Sequence, residues 1–149
     1  MTVLLTDSSS TRPALIDPRG PRFGAAITTV VLSAALLLAS PLLLGLQAIV
    51  FAIGALAGPA RQPYGLVFKR FVRPRLAAPD HLEDPAAPRF AQLCGLVFSL
   101  VGLLGFAVGA SWLALGAIAL ALAAAFLNAA FDFCIGCEIH LRARRLART

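Results

Sequence analysis

Two long apolar blocks dominate the chain, Gly24–Gly58 and Ala91–Phe133, and the only charged residue in either is Asp132. A membrane-crossing helix needs about 20 residues. Each block is therefore too long for one crossing and close to the length of two. We predict an all-α integral membrane protein, a four-helix bundle made of two tandem helical hairpins.

Turn residues divide each block near its middle. Ser40-Pro41 interrupts the first block, and Gly109 to Trp112 interrupts the second. The four predicted spans are about Pro21–Ala39, Leu42–Gly58, Pro88–Gly109 and Trp112–Phe133.

A sequence repeat precedes the two blocks. The motif Asp-Pro-x-x-Pro-Arg-Phe occurs at residues 17–23 and again at residues 84–90. The second proline of each copy, Pro21 or Pro88, suits the first turn of a helix. The recurrence predicts that the second hairpin is a duplicate of the first, which is a known way of building membrane proteins.

The segment between the hairpins predicts an amphipathic helix. Apolar residues within Tyr64–Val72 recur at helical spacing, while Lys69, Arg70 and Arg73 lie on other faces. We expect this helix to end at Pro74 and to lie on the cytoplasmic side of the membrane. The three basic residues would bind anionic lipid headgroups.

Charge fixes the predicted topology. The chain is 59% hydrophobic and 13% charged, and all 13 Arg and Lys residues lie outside the two hairpin turns. By the positive-inside rule, both termini and the central segment face the cytoplasm of a multi-pass protein in the cell inner (plasma) membrane. The net charge of +6 then belongs to the membrane surface, and we predict no nucleic-acid partner. The predicted segments are a cytoplasmic tail (1–20), the first hairpin (21–58), the amphipathic helix and linker (59–87), the second hairpin (88–138) and a basic tail (139–149).

Candidate chemistry lies where the last span meets the basic tail. Cys134 and Cys137 form a Cys-x-x-Cys pair, a spacing that suits redox or metal chemistry. If one helix continues through Cys137, then Cys134, Cys137 and Glu138 share a face. Glu138 is then a candidate proton acceptor. The C-terminal end of that helix would oppose thiolate formation, so we expect thiols less acidic than a thioredoxin pair.

Other roles stay open for the polar residues near this pair. A reducing cytoplasm argues against a permanent disulfide. An alternative metal site would use Cys134, Cys137 and His140. Cys94 is either a core residue or a third thiol, and Asp132 is a candidate for a proton or cation role.

The chain resembles an uncharacterised family of small four-helix bacterial membrane proteins, common in actinobacteria and described as a domain of unknown function. The resemblance covers about residues 16–145 and is strongest in the motif LNAAFxFCxGCE over residues 127–138. It extends to Gln62-Pro63-Tyr64-Gly65, Val72-Arg73-Pro74-Arg75 and Pro88-Arg89-Phe90-Ala91-Gln92. The family usually has Gly where this chain has Asp132. Its gene neighbourhoods imply sulfur or thiol handling with thioredoxin-like or rhodanese-like proteins.

Three functions fit these observations. The first is a membrane thiol protein in which Cys134 and Cys137 exchange electrons or sulfur with a cytosolic partner. The second is a component for transport of a soft metal or small solute. The third is a structural or accessory subunit of a larger membrane complex. Glycines four residues apart, as at Gly54 and Gly58, would also allow close helix packing within the bundle or in a homo-oligomer.

Overall fold

A computed structural model describes residues 15–148, and that part of the chain is helical. Most of the predicted N-terminal tail, residues 1–14, lies outside the described part. The six α-helices are α1 (Arg19–Leu38), α2 (Pro41–Ala57), α3 (Pro63–Val67), α4 (Ala86–Ala107), α5 (Ser111–Phe131) and α6 (Ile135–Arg148). A π-helical turn (Phe68–Val72) and a 3-10 turn (Arg73–Arg75) continue α3.

Turn chemistry sets the hairpin bends close to where the sequence predicts them. Ala39 ends α1 in the left-handed conformation with φ 47°. Ser40 then caps α2, because its hydroxyl accepts the backbone N–H of Leu43 at 3.2 Å. In the second hairpin, Gly109 has the corresponding left-handed φ of 78°.

Three helices, α1, α4 and α5, are long and apolar enough to cross a membrane. The remaining apolar helix, α2, has 17 residues. Large apolar side chains cover much of the outer surface, including Leu37 (85% exposed), Leu42 (72%) and Trp112 (78%). A water-soluble domain seldom exposes so much apolar surface. These helices therefore indicate a membrane protein.

The four long helices pack across the two hairpins. The closest pairs are α2 with α4, α1 with α5, and α4 with α5, while α1 also contacts α2. Their shared core contains Leu32, Leu44, Phe51 and Ile118. Each hairpin thus places its first helix against the second helix of the other hairpin.

The repeated motif begins both hairpins in the same way. Asp17 Oδ1 accepts the backbone N–H of Arg19 at 3.0 Å, and Asp84 Oδ1 accepts that of Ala86 at 2.8 Å. In each copy an aspartate therefore binds an otherwise unpaired N–H in the first helical turn. Arg19 also forms an ion pair with Asp17, and its hydrogen bond lowers the pKa of that carboxyl group.

The arginine of each motif caps a helix of the other hairpin. Arg22 Nε donates to the carbonyl of Ala129 near the end of α5 at 3.1 Å. Arg89 donates to the carbonyls of Ala55 (3.1 Å) and Leu56 (2.9 Å) near the end of α2. A cationic group is favourable there because the last carbonyls of a helix lack intrahelical partners.

A pair of backbone hydrogen bonds joins the two copies of the motif. Ile16 and Glu83, the residues directly before the copies, exchange N–H···O bonds of 2.8 Å in both directions. The Arg and Lys residues of the described part come from segments that begin or end at this side of the molecule. We call it the basic end, and the opposite side, with both hairpin bends, the turn end.

Candidate functional site

The segment after α2 folds back onto α1 at the basic end. The ring of Phe68 lies 5.8 Å from that of Phe23 between centroids. The π-helical turn ends at Val72 and the 3-10 turn that contains Pro74 ends at Arg75, within one or two residues of the predicted end at Pro74. Proline is compatible with this position because it lies early in a short 3-10 turn.

A buried polar chain holds α3 to the first hairpin. The hydroxyl of Tyr64 donates to Gln47 Oε1 at 2.8 Å, and Gln47 Nε2 donates to Thr28 Oγ1 at 3.3 Å. Gln47 is only 1% exposed, and burial raises the pKa of Tyr64. The three side chains link α3, α2 and α1, so their role is structural.

The candidate lipid-binding residues lie on the outer face of the same segment. Lys69, Arg70 and Arg73 are all exposed. Phe71, 60% exposed, lies among them. The segment thus presents basic and apolar side chains together, as a membrane-surface helix does.

The chain breaks between α5 and the cysteine pair. Asp132 ends α5 in the left-handed conformation, with φ 55° and ψ 31°, and α6 begins at Ile135. The condition that one helix continues through Cys137 is therefore not met, and the fourth span ends close to the predicted Phe133. Aspartate is among the few residues that tolerate a left-handed backbone.

Cys134 occupies the cap position of α6. Its carbonyl accepts the N–H of Glu138 at 3.0 Å, and its Sγ accepts the N–H of Cys137 at 3.2 Å. Cys134 and Cys137 form a disulfide across Cα atoms 5.1 Å apart. Both cysteines are half-buried.

This position reverses the predicted polarity of the site. The N-terminal end of a helix carries partial positive charge and favours a thiolate. The hydrogen bond from Cys137 N–H to Cys134 Sγ acts in the same direction. The prediction that a helix C-terminus would oppose thiolate formation was wrong, because α5 ends before Cys134.

Close packing on α4 fixes the start of α6. Gly136 is buried, and a Cβ atom there would lie 2.6 Å from Ala91 Cα. Only glycine allows the two backbones to come this close. Sequence reasoning missed this contact because Ala91 and Gly136 belong to different elements of the second hairpin.

Each of the other polar candidates near the cysteine pair makes contacts of its own. The carboxylate of Glu138, 46% exposed, is 3.9 Å from Arg142 Nε. The ring of His140 packs on Phe90, with 5.5 Å between centroids. Its Nε2 is buried and has no hydrogen-bond partner in the described part. Cys94, on α4, is a half-buried free thiol.

The structure does not assemble the alternative metal site. Across residues 15–148, no group of three or more His, Cys, Asp or Glu side chains is placed to hold a metal ion. Cys134 and Cys137 are instead bonded to each other.

The fold and site define a helical protein with three candidate membrane spans and a Cys-x-x-Cys pair at the start of its last helix. The chain belongs to the family described as a domain of unknown function, DUF4395, whose model matches residues 16–145. No curated protein and no solved structure matches the chain. The family brings no activity with it, so the functional argument depends on the site.

Proposed function

We propose that α1, α2, α4 and α5 form a four-helix bundle in the plasma membrane, with the basic end and both termini in the cytoplasm. Three of these helices have the length and composition of spans. At 1.5 Å per residue, the 17 residues of α2 extend about 26 Å, slightly less than the roughly 30 Å hydrocarbon core. Local thinning of the bilayer accommodates such a difference.

The helical segments after each hairpin lie on the inner membrane surface in this arrangement. Lys69, Arg70 and Arg73 would each contribute about 1 kcal/mol of attraction to anionic lipid. On α6, Ile139 is 50% exposed and Leu141 is 45% exposed, so this helix also offers apolar surface to the interface. Further basic residues on α6 are Arg142, Arg144, Arg145 and Arg148.

The cysteine pair then acts in thiol–disulfide exchange or sulfur transfer with a cytosolic partner, of the thioredoxin-like or rhodanese-like kind. The observation that carries this proposal is the placement of Cys134 Sγ at a helix N-terminus, accepting a backbone N–H, next to Cys137 Sγ. Active dithiol pairs use this arrangement because it stabilises the attacking thiolate. The resemblance alone predicts an actinobacterial source and a family motif over residues 127–138.

The exchange proceeds in two steps, in which Cys134 reacts before Cys137. In the reduced pair, the Cys134 thiolate attacks a partner disulfide, a bond forms to one partner sulfur, and the other sulfur leaves as a thiolate. The Cys137 thiolate then attacks Cys134 Sγ and displaces the second partner thiolate. The pair is oxidised to a disulfide while the partner disulfide is reduced to two thiols.

Trapping a mixed disulfide tests this proposal. Because Cys134 is expected to attack first, Cys137→Ser should leave the partner bound through Cys134. We expect a reducible adduct with a thioredoxin-like or rhodanese-like protein in membranes carrying Cys137→Ser. Cys134→Ser should give none, and Cys94→Ser should behave like wild type.

A different pattern would contradict the proposal. An adduct that forms equally well in Cys134→Ser would show that the order of attack is wrong. Wild-type behaviour of the double Cys134→Ser/Cys137→Ser variant, with no adduct from Cys137→Ser, would leave the accessory-subunit function.

A further inference from the structure

A helix follows each hairpin at the basic end, and the two can be compared from their first residues. Gln62 caps α3 and its carbonyl accepts the N–H of Leu66 at 3.0 Å, as the carbonyl of Cys134 accepts that of Glu138 at 3.0 Å. Both cap residues lie at the basic end, directly before the helix that follows a hairpin. Aligning the two helices at their caps places Cys134 at the position of Gln62, 44 residues after Phe90 where Gln62 lies 39 residues after Phe23.

Ring contacts confirm this equivalence six residues further on. Phe68 packs on Phe23 of the first motif, with centroids 5.8 Å apart and an interplanar angle of 44°. His140 packs on Phe90 of the second motif, at 5.5 Å and 42°. Phe23 and Phe90 are the last residues of the two motif copies, so His140 occupies the position of Phe68.

The second copy therefore has an imidazole ring where the first has a phenyl ring. Phe68 is 5% exposed and fills its site with apolar atoms. His140 makes the same ring contact but leaves Nε2 buried without a hydrogen-bond partner among residues 15–148. Burying an unpaired polar atom is unfavourable. Packing alone does not account for histidine here, because phenylalanine makes the same contact without that cost.

His140 lies one helical turn after Cys137 on α6. Side chains three residues apart share a helix face, about 5–6 Å apart between Cβ atoms. Glu138 pairs instead with Arg142 and is 46% exposed. The imidazole therefore lies on the same helix face as Cys137, with its Nε2 buried.

We propose that His140 accepts the proton of Cys137 when that thiol resolves a mixed disulfide on Cys134; this deepens the proposed thiol exchange and rests on it. Nε2 takes the proton from the Cys137 thiol, and the resulting thiolate attacks Cys134 Sγ. The bond between Cys134 and the substrate sulfur breaks, and the substrate thiolate leaves with the electron pair. The imidazolium returns its proton to solvent or to that thiolate. The substrate is any accessible disulfide.

A two-phase reaction with dithiobis(nitrobenzoic acid) tests the proposal on the reduced, full-length protein in a Cys94→Ser background. Release of the first coloured nitrothiobenzoate reports attack by Cys134 on the reagent. Release of the second reports resolution of the mixed disulfide by Cys137. Phe is the matched substitution for His140, because the first repeat carries it in the same ring contact. We expect His140→Phe to slow the second phase about a hundredfold and to leave the first phase unchanged. Added imidazole should accelerate the second phase of His140→Ala, in which the missing ring leaves room for it.

An unchanged second phase in His140→Phe would overturn the proposal. So would a slow second phase in His140→Ala that imidazole does not accelerate, since that result indicates only a packing role. If His140→Phe does not fold, His140→Gln takes its place in the same assay. Because no protein partner is used, failure here is distinguishable from failure to trap one with Cys137→Ser.

Discussion

The position of the cysteine pair depends on a single glycine. Gly136 allows α6 to contact α4 at Ala91, where a Cβ atom would lie 2.6 Å from backbone. Both residues belong to helices, so an added Cβ atom at Gly136 requires one helix to shift against the other. The geometry of the Cys134–Cys137 pair therefore depends on a residue with no chemistry of its own.

We expect Gly136→Ala to destabilise the protein by about 1–3 kcal/mol through overpacking and to loosen the start of α6. Thermal unfolding in detergent, together with hydrogen exchange of the α6 amides, would measure both effects. Gly116→Ala is the matched control, because Gly116 on α5 has no atom within 4 Å of an added Cβ. Equal stability of the two variants would contradict the packing contact.

The sequence identified the reactive atoms but not their electrostatic environment. The spacing of Cys134 and Cys137 stands out in a chain with three cysteines. Whether they lie at the end of one helix or the start of another depends on Asp132, with φ 55°. An apolar pattern that runs on to Phe133 contains no sign of that backbone reversal.

The two hairpin bends share the same backbone conformation and the same hydrogen bond. Ala39 and Gly109 both adopt left-handed backbone conformations at the end of the first helix of a hairpin. In each bend the next residue donates an N–H to a carbonyl five residues earlier, Ser40 to Ala35 at 3.0 Å and Ala110 to Gly105 at 2.8 Å. The first bend therefore uses a residue that is less favourable than glycine.

Exchanging these two residues should move stability in opposite directions. We expect Ala39→Gly to stabilise the protein by up to about 1 kcal/mol, because it relieves a left-handed alanine. Gly109→Ala should destabilise it by about the same amount. Denaturant unfolding in detergent would measure both changes. Destabilisation by Ala39→Gly would contradict the equivalence of the bends.

Helix boundaries were predictable where a residue forces them. Pro41 and Ser40 fix the start of α2, and a left-handed glycine marks the end of α4. The last helix was predicted only as a basic tail, because Arg142 to Arg148 interrupts the apolar pattern. Its helicity becomes evident only in the structure, where Cys137 is half-buried and Ile139 is 50% exposed.

Pairing between the hairpins is a property of the whole molecule. The repeat of Asp-Pro-x-x-Pro-Arg-Phe predicted a duplication, but it did not predict which helices of the two copies meet. Arg22 and Arg89 answer that question, since each reaches the last turn of a helix in the other hairpin. Such reciprocal contacts depend on three-dimensional arrangement, so a linear pattern does not contain them.

The same arrangement brings both motif copies, both post-hairpin helices and the cysteine pair to the basic end. The turn end carries no Arg or Lys in the described part. We therefore predict one orientation in the membrane, with the basic end facing the cytoplasm.

Maleimide labelling of cells tests this orientation most directly. In a Cys94→Ser background, a membrane-impermeant maleimide should modify reduced Cys134 and Cys137 only after lysis. Ser111→Cys, placed at the exposed turn end in a variant lacking the other cysteines, should be labelled in intact cells. Labelling of Cys134 or Cys137 from outside intact cells would contradict the account, because the pair would then face away from every cytosolic partner.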